Sequence, residues 1–75
     1  MALKKPTCYD VVAILRDVPD QGVKAGWVGT VVETLDEDVF LVEFADAQGR
    51  TLLLPTLPGE VLLVLDALHA EGAPV

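Results

Sequence analysis

The amino-acid sequence predicts an all-β domain, a small barrel of five short strands with a short helical turn near the C-terminus. Short β-branched and apolar runs recur along the chain, Gly and Pro clusters separate them, and 75 residues leave room for a single core. A chain this short buries only about 60% of the surface its unfolded form exposes.

Residues 1–8 read as a flexible tail, because Lys4, Lys5 and Pro6 carry no periodic pattern and Pro6 withholds a backbone donor. The barrel spans residues 9–66, and residues 67–75 form a C-terminal turn and tail. The first strand is residues 9–16 (YDVVAILR), ended by the turn-formers of DVPDQG within a long loop, residues 17–26. The second is residues 27–34 (WVGTVVET), where Val28 and Val31 stand three apart. Gly29 between them predicts a bulge or bend at which the barrel turns a corner.

After the acidic connector 35–38 (LDED), residues 39–45 give a period-two strand with Phe40, Val42 and Phe44 on one face. DAQG then allows Gly49 a positive φ, so that residues 50–54 return as the hairpin partner until Pro55 stops them. Pro58 and Gly59 bracket a helical turn, and residues 61–65 (VLLVL) read as the fifth strand. Extended through His69, the same stretch also has helical spacing at Val61, Leu62, Val64, Leu65 and Leu68. The strand is preferred, because four strands leave the barrel open, with a short helical turn from Asp66. The expected core is Val12, Ile14, Val28, Val31, Phe40, Val42, Phe44, Leu52, Leu54 and Leu62.

Composition narrows function. Twelve Asp and Glu against five Lys and Arg give a formal net charge of −7, which repels phosphate backbones and anionic lipids and attracts basic proteins. Nucleic acid is therefore a disfavoured partner. The single cysteine, Cys8, forms no internal disulfide and suits a reducing cytoplasm. No apolar segment follows Lys5 as in a signal peptide and no run of 18 apolar residues occurs, so neither export nor membrane insertion is expected.

Catalysis needs a nucleophile, base or electrophile in mutual reach, and the chain offers one histidine, one cysteine and no serine. The expectation is a non-enzyme without cofactor or metal. His69, near the C-terminal end, reads as a solvated histidine. Asp36, Glu37 and Asp38 lack the spaced ligands and glycine of a calcium loop and read as a solvated hairpin tip.

What remains is protein binding. With 52% apolar residues the chain has more than so small a core holds. If Phe40, Val42 and Phe44 face inward, Val39 and Leu41 face outward; Leu53 does the same if Leu52 and Leu54 face inward, and so does Leu63. These four form the candidate partner-binding patch, and self-association through Leu41 and Leu53 makes a homo-oligomer expected. Residues 66–75, folded back, are an alternative cover. Trp27, at the mouth of the long loop beside Gly26, joins the set as an anchor or as a lid on the core.

The run of five strands, a long first loop, tight hairpins and a turn before the last strand is the order of an SH3-like barrel. Gly26, Gly29 and Val31 form a GxxGxV pattern that resembles the second strand of KOW-type and photosystem-accessory-type barrels. More specifically, YDVVA (residues 9–13), GxVGTVV (26–32), VEFxDxxGRT (42–51) and TLP (56–58), in this order, resemble a family of short bacterial proteins described as a domain of unknown function. The resemblance covers residues 9–65 and implies the SH3-like barrel, with no chemistry to carry over. Family members standing beside toxin-like genes imply an antitoxin, immunity or accessory role; the KOW-type likeness implies instead a ribosome- or RNA-associated barrel.

Overall fold

The computed structural model describes residues 5–65. They form six strands, β1 (Val11–Ile14), β2 (Val28–Asp36), β3 (Val39–Ala45), β4 (Thr51–Leu53), β5 (Thr56–Pro58) and β6 (Leu62–Val64), with 3-10 turns at Pro19–Gln21 and Gly59–Val61. All pairings are antiparallel, in the order β4-β3-β2-β1-β6, and β5 lies beside β3. The domain is all-β, and the described sheet is not closed by strand pairing. The helical turn expected from Asp66, and the tails beyond residues 5 and 65, lie outside the described residues.

The central strand is β3, whose alternation was plain in the sequence. Phe40, Val42 and Phe44 are buried, and Val39, Leu41 and Glu43 between them are half-buried on the other face. Its first half pairs with β5 (Val39↔Pro58, Phe40↔Leu57, Leu41↔Thr56), its second with β4, and the Val42 N–H reaches the Pro55 carbonyl between the two. The TLP segment is thus a sixth strand, and its Leu57 is fully buried. Flanking prolines hide this strand from sequence periodicity. Only three residues are involved, and the prolines stand at an edge that makes few demands on donors.

Around β3 the core gathers Val12 and Ile14 from β1, Val31 from β2, Val61, Leu62 and Val64 near the C-terminal end, and Val23 from the long loop. The loop is ordered enough to deliver Val23 because Val18 and Val23 form an isolated bridge, with Gly22 at φ 71° ending the intervening turn. At the start of the described chain, a turn over Thr7 to Asp10 places Tyr9 at φ 71°, and the Asp10 carboxylate accepts bonds from the Thr7 N–H and hydroxyl.

Three expected core residues are not in the core. Val28, Leu52 and Leu54 are exposed, whereas Leu53 packs against the core cluster. A register shift between Phe44 and Ala45 where β3 meets β4 accompanies this inversion, since a one-residue slip moves every side chain of a strand to the other face. The bulge expected at Gly29 is also displaced. Gly29 pairs regularly with Val12, and the register slips later in β2, between Val31 and Glu33 and between Thr34 and Asp36.

Candidate functional site

Three of the exposed apolar residues that the core does not take, Trp27, Val28 and Leu52, are gathered at the open end of the β2–β3 hairpin. Trp27 enters β2 there, and its backbone is fixed on both sides. Its carbonyl accepts the Ile14 N–H at 2.8 Å and the neighbouring Gly26 N–H reaches the Ile14 carbonyl at 2.8 Å. Gly26 sits at φ 90°, a left-handed conformation that turns the long loop into β2 at little steric cost. The Asp17 carboxylate accepts the Ala25 N–H and closes the same loop. So held, the indole lies edge-on to the Phe44 ring, centroids 5.5 Å apart and planes at 67°.

Gly29 completes this arrangement. A Cβ at Gly29 would stand 2.7 Å from the Glu43 carbonyl oxygen and 2.8 Å from the Phe44 ring, so the position is kept for the ring by having no side chain. This close approach, and not a bulge, is what the glycine provides.

The far wall comes from β4. The turn after β3 is organised by Asp46, whose Oδ1 accepts the Gln48 and Arg50 N–H groups and whose Oδ2 accepts the Arg50 Nε–H at 2.8 Å. Gly49 takes φ 82° within it, as its place in DAQG predicts. The Arg50 backbone N–H, followed by its guanidinium and the Gln48 N–H, holds the Asp46 carboxyl below the usual carboxylate range. Beyond the turn, Thr51 donates its hydroxyl to Glu43 and Leu52 projects outward.

The result is a groove of about 430 Å³ with Trp27, Phe44 and Leu53 at its base, Val28, Ala45 and Leu52 along its sides and Gly22 at its rim. Val28 is 54% and Leu52 65% exposed, and none of these residues is ionisable. Such a groove has no group to move a proton or attack a bond. It can bury apolar side chains of something else, at about 25 cal/mol per Å² removed from water.

A second recess, of about 520 Å³, lies at the other end of the hairpin among Lys5, Pro6, Glu37, Asp38, Gly59, Glu60 and Leu62. Its character is acidic.

Of the residues expected to bind a partner, the structure brings Trp27 and Leu53 together in the groove. Val39 and Leu41 lie half-buried on the outward side of β3, and Leu63 is across the sheet on β6, paired with Ala13. Leu41 and Leu53 do not share a face. Val28, Phe44 and Leu52, which complete the groove, were expected in the core alone. The legible signal was the run of three leucines, 52–54, at most alternate members of which one face can hold.

The family described as Domain of unknown function (DUF4926) matches residues 8–64. The chain belongs to that family. No curated protein matches this DUF4926 chain, and no solved structure does. Among its described residues no helix is long and apolar enough to cross a membrane.

Proposed function

We propose that this DUF4926 domain is a non-enzymatic, acidic protein-binding module, an SH3-like barrel that serves as an antitoxin-like, immunity or accessory subunit of a bacterial protein. The observation that carries the proposal is the groove of Trp27, Val28, Phe44 and Leu52, apolar throughout and open to solvent in a chain of net charge −7. An aromatic base with aliphatic walls suits a projecting apolar side chain, and the surrounding negative field raises the encounter rate of a basic partner. The SH3-like reading is supported by the long first loop, the 3-10 turn before the last strand and one continuous core enclosed by short strands.

RNA as partner is disfavoured by charge. Arg16 and Arg50 are engaged by Glu60 and Asp46, and with Lys5 and Lys24 apart from them the described residues present no basic stripe for a phosphate backbone.

Capture from the native cell extract on immobilised wild type and on Leu52→Lys tests the proposal. A protein retained by the wild type and lost by a folded Leu52→Lys supports it. Equal retention by both, or retention of nucleic acid with an affinity that falls steeply with salt, overturns it.

A further inference from the structure

The chain approaches β1 through a strained turn. Among the described residues Tyr9 is the one non-glycine at positive φ, 71°, a region that L side chains rarely adopt. Tyr9 and Asp10 together stand against one residue of β2, because the Tyr9 N–H donates to the Val31 carbonyl at 2.6 Å and the Val31 N–H donates to the Asp10 carbonyl at 2.9 Å. Two residues against one, the first of them left-handed, is the pattern of a β-bulge whose first place normally goes to glycine. Tyr9 is 76% exposed, so little packing offsets its strain.

What holds the strained form lies in the turn itself. The Asp10 carboxylate accepts the Thr7 N–H at 2.9 Å and the Thr7 hydroxyl at 3.0 Å, and the Asp10 N–H donates back to the Thr7 carbonyl. Ahead of the turn Pro6 is buried, and with Lys5 it borders the recess that Glu37, Asp38, Glu60 and Leu62 also line. The ties from this segment to the sheet are few. Among the described residues no backbone hydrogen bond joins residues 5–8 to a strand, and the Cys8 thiol stands 4.0 Å from the Val32 carbonyl. β1, beginning two residues after Tyr9, is by contrast paired on both sides, with β2 and with β6.

We infer that residues 5–9 form a strained strap that opens as a unit while the six strands stay paired, lifting Pro6 and Lys5 off the acidic recess. Segments with few bonds to the rest of a fold open below global unfolding, and this one has in addition a stored reason to open. Two local effects oppose one another. The Asp10 latch on Thr7 favours the closed strap; the return of Tyr9 to an ordinary φ favours the open one. Closed, the strap keeps the chain's own lysine and proline at a recess of carboxylates with Leu62, 1% exposed, in its lining; open, that end of the domain is presented to solvent without them. The recess is thus a conditional surface. None of residues 5–10 lines the groove at the other end of the hairpin, so the strap does not depend on what the groove binds.

Native-state hydrogen exchange of the full chain, followed by NMR at low denaturant concentrations, tests the inference in wild type, Tyr9→Gly and Phe44→Leu. The strap is read at the Thr7 and Tyr9 amides, and the sheet at the Ile14 and Val42 amides, which donate to the Trp27 and Pro55 carbonyls. The expected wild-type result is protection at Thr7 and Tyr9 that is measurable, about tenfold or more below that of Ile14 and Val42, and insensitive to denaturant, since a small opening exposes little surface. Tyr9→Gly relieves the closed form alone and raises the protection of residues 7 and 9 several-fold. Phe44→Leu weakens the core in the closed and open forms alike, so it lowers protection at Ile14 and Val42 and leaves Thr7 and Tyr9 unchanged. Protection at Thr7 and Tyr9 that equals that of Ile14, or falls with it in Phe44→Leu, overturns the inference, because the strap then unfolds only with the sheet. Amides at Thr7 and Tyr9 with no protection at all overturn it as well, since no closed strap then exists. A Tyr9→Gly variant with unchanged or lower protection there removes the strain on which opening rests.

Discussion

At the open end of the β2–β3 hairpin Gly29 makes room for the Phe44 ring and the Glu43 carbonyl; at the closed end Gly59 makes room for the Asp38 carboxylate. Each glycine faces a bulkier group across a recess. The difference lies in what that group is. Phe44 is buried and packs edge-on against Trp27, so the open end is apolar, whereas Asp38 is exposed beside Glu37 and Glu60, so the closed end is acidic. One steric device therefore serves two chemistries, and only the apolar one can hold a partner's side chain by excluding water.

The contrast breaks most completely if the Phe44 ring is removed. Phe44→Ala should cost about 3–5 kcal/mol, a large share of what a domain this size possesses. Thermal melting measures the loss, and Trp27 fluorescence should shift red as the indole loses its partner. An unchanged melting temperature would mean that the open end is not held by this ring pair. Next in size is Gly29→Ala, for which the new Cβ meets a backbone oxygen at 2.7 Å and a buried ring at 2.8 Å. Neither can swing away, so a cost of about 1–3 kcal/mol is expected from overpacking. Neutral or stabilising behaviour in a denaturant titration would show that the β2–β3 ladder opens at no cost.

Much of this was legible from residue pattern, and the failures have local causes. β3 was read with its bounds and both faces correct, since seven residues of strict alternation admit one register. β4 was read with its faces inverted: LLL carries no alternation, and its facing is set by the slip at Phe44 and Ala45, which depends on tertiary pairing. Leu57, Val61 and Val23 were missed as core residues because each lies in a short strand, a 3-10 turn or a loop where periodicity has too few residues to act. The groove followed the same division. Trp27 was singled out, but Val28 and Leu52 were assigned inward and so were lost from the site.

At the closed end the same substitution should cost less. Gly59→Ala sets its Cβ against the Asp38 carboxylate, an exposed group free to rotate, and 3.1 Å from the Phe40 ring, which has to yield only slightly. A loss of about 1 kcal/mol or less is expected, and pairing it with Asp38→Ala should recover about half, a coupling that a double-mutant cycle resolves. A Gly59→Ala cost equal to that of Gly29→Ala would remove the distinction between a rigid and a yielding neighbour.

The smallest effect sharpens the comparison through pH. Asp46 orders the turn that carries β4 to the groove, and the Arg50 N–H, the Arg50 guanidinium and the Gln48 N–H all favour its ionised form, placing its carboxyl below the usual carboxylate range. A carboxyl whose pKa is lower folded than unfolded contributes stability that is complete above the unfolded value, about 3.9 for aspartate. That contribution fades as pH falls through the lower, folded value. Acidification should therefore loosen the turn only below about pH 4, and the amide resonances of Gly49 and Arg50 should follow one titration there. In Asp46→Asn the carboxamide oxygen still accepts backbone N–H groups but has no proton to gain, so those amides should lose their acid response while the fold persists. Identical titrations of Gly49 and Arg50 in the two proteins would assign the acid response to another carboxylate and leave the open end's second wall without its organising charge.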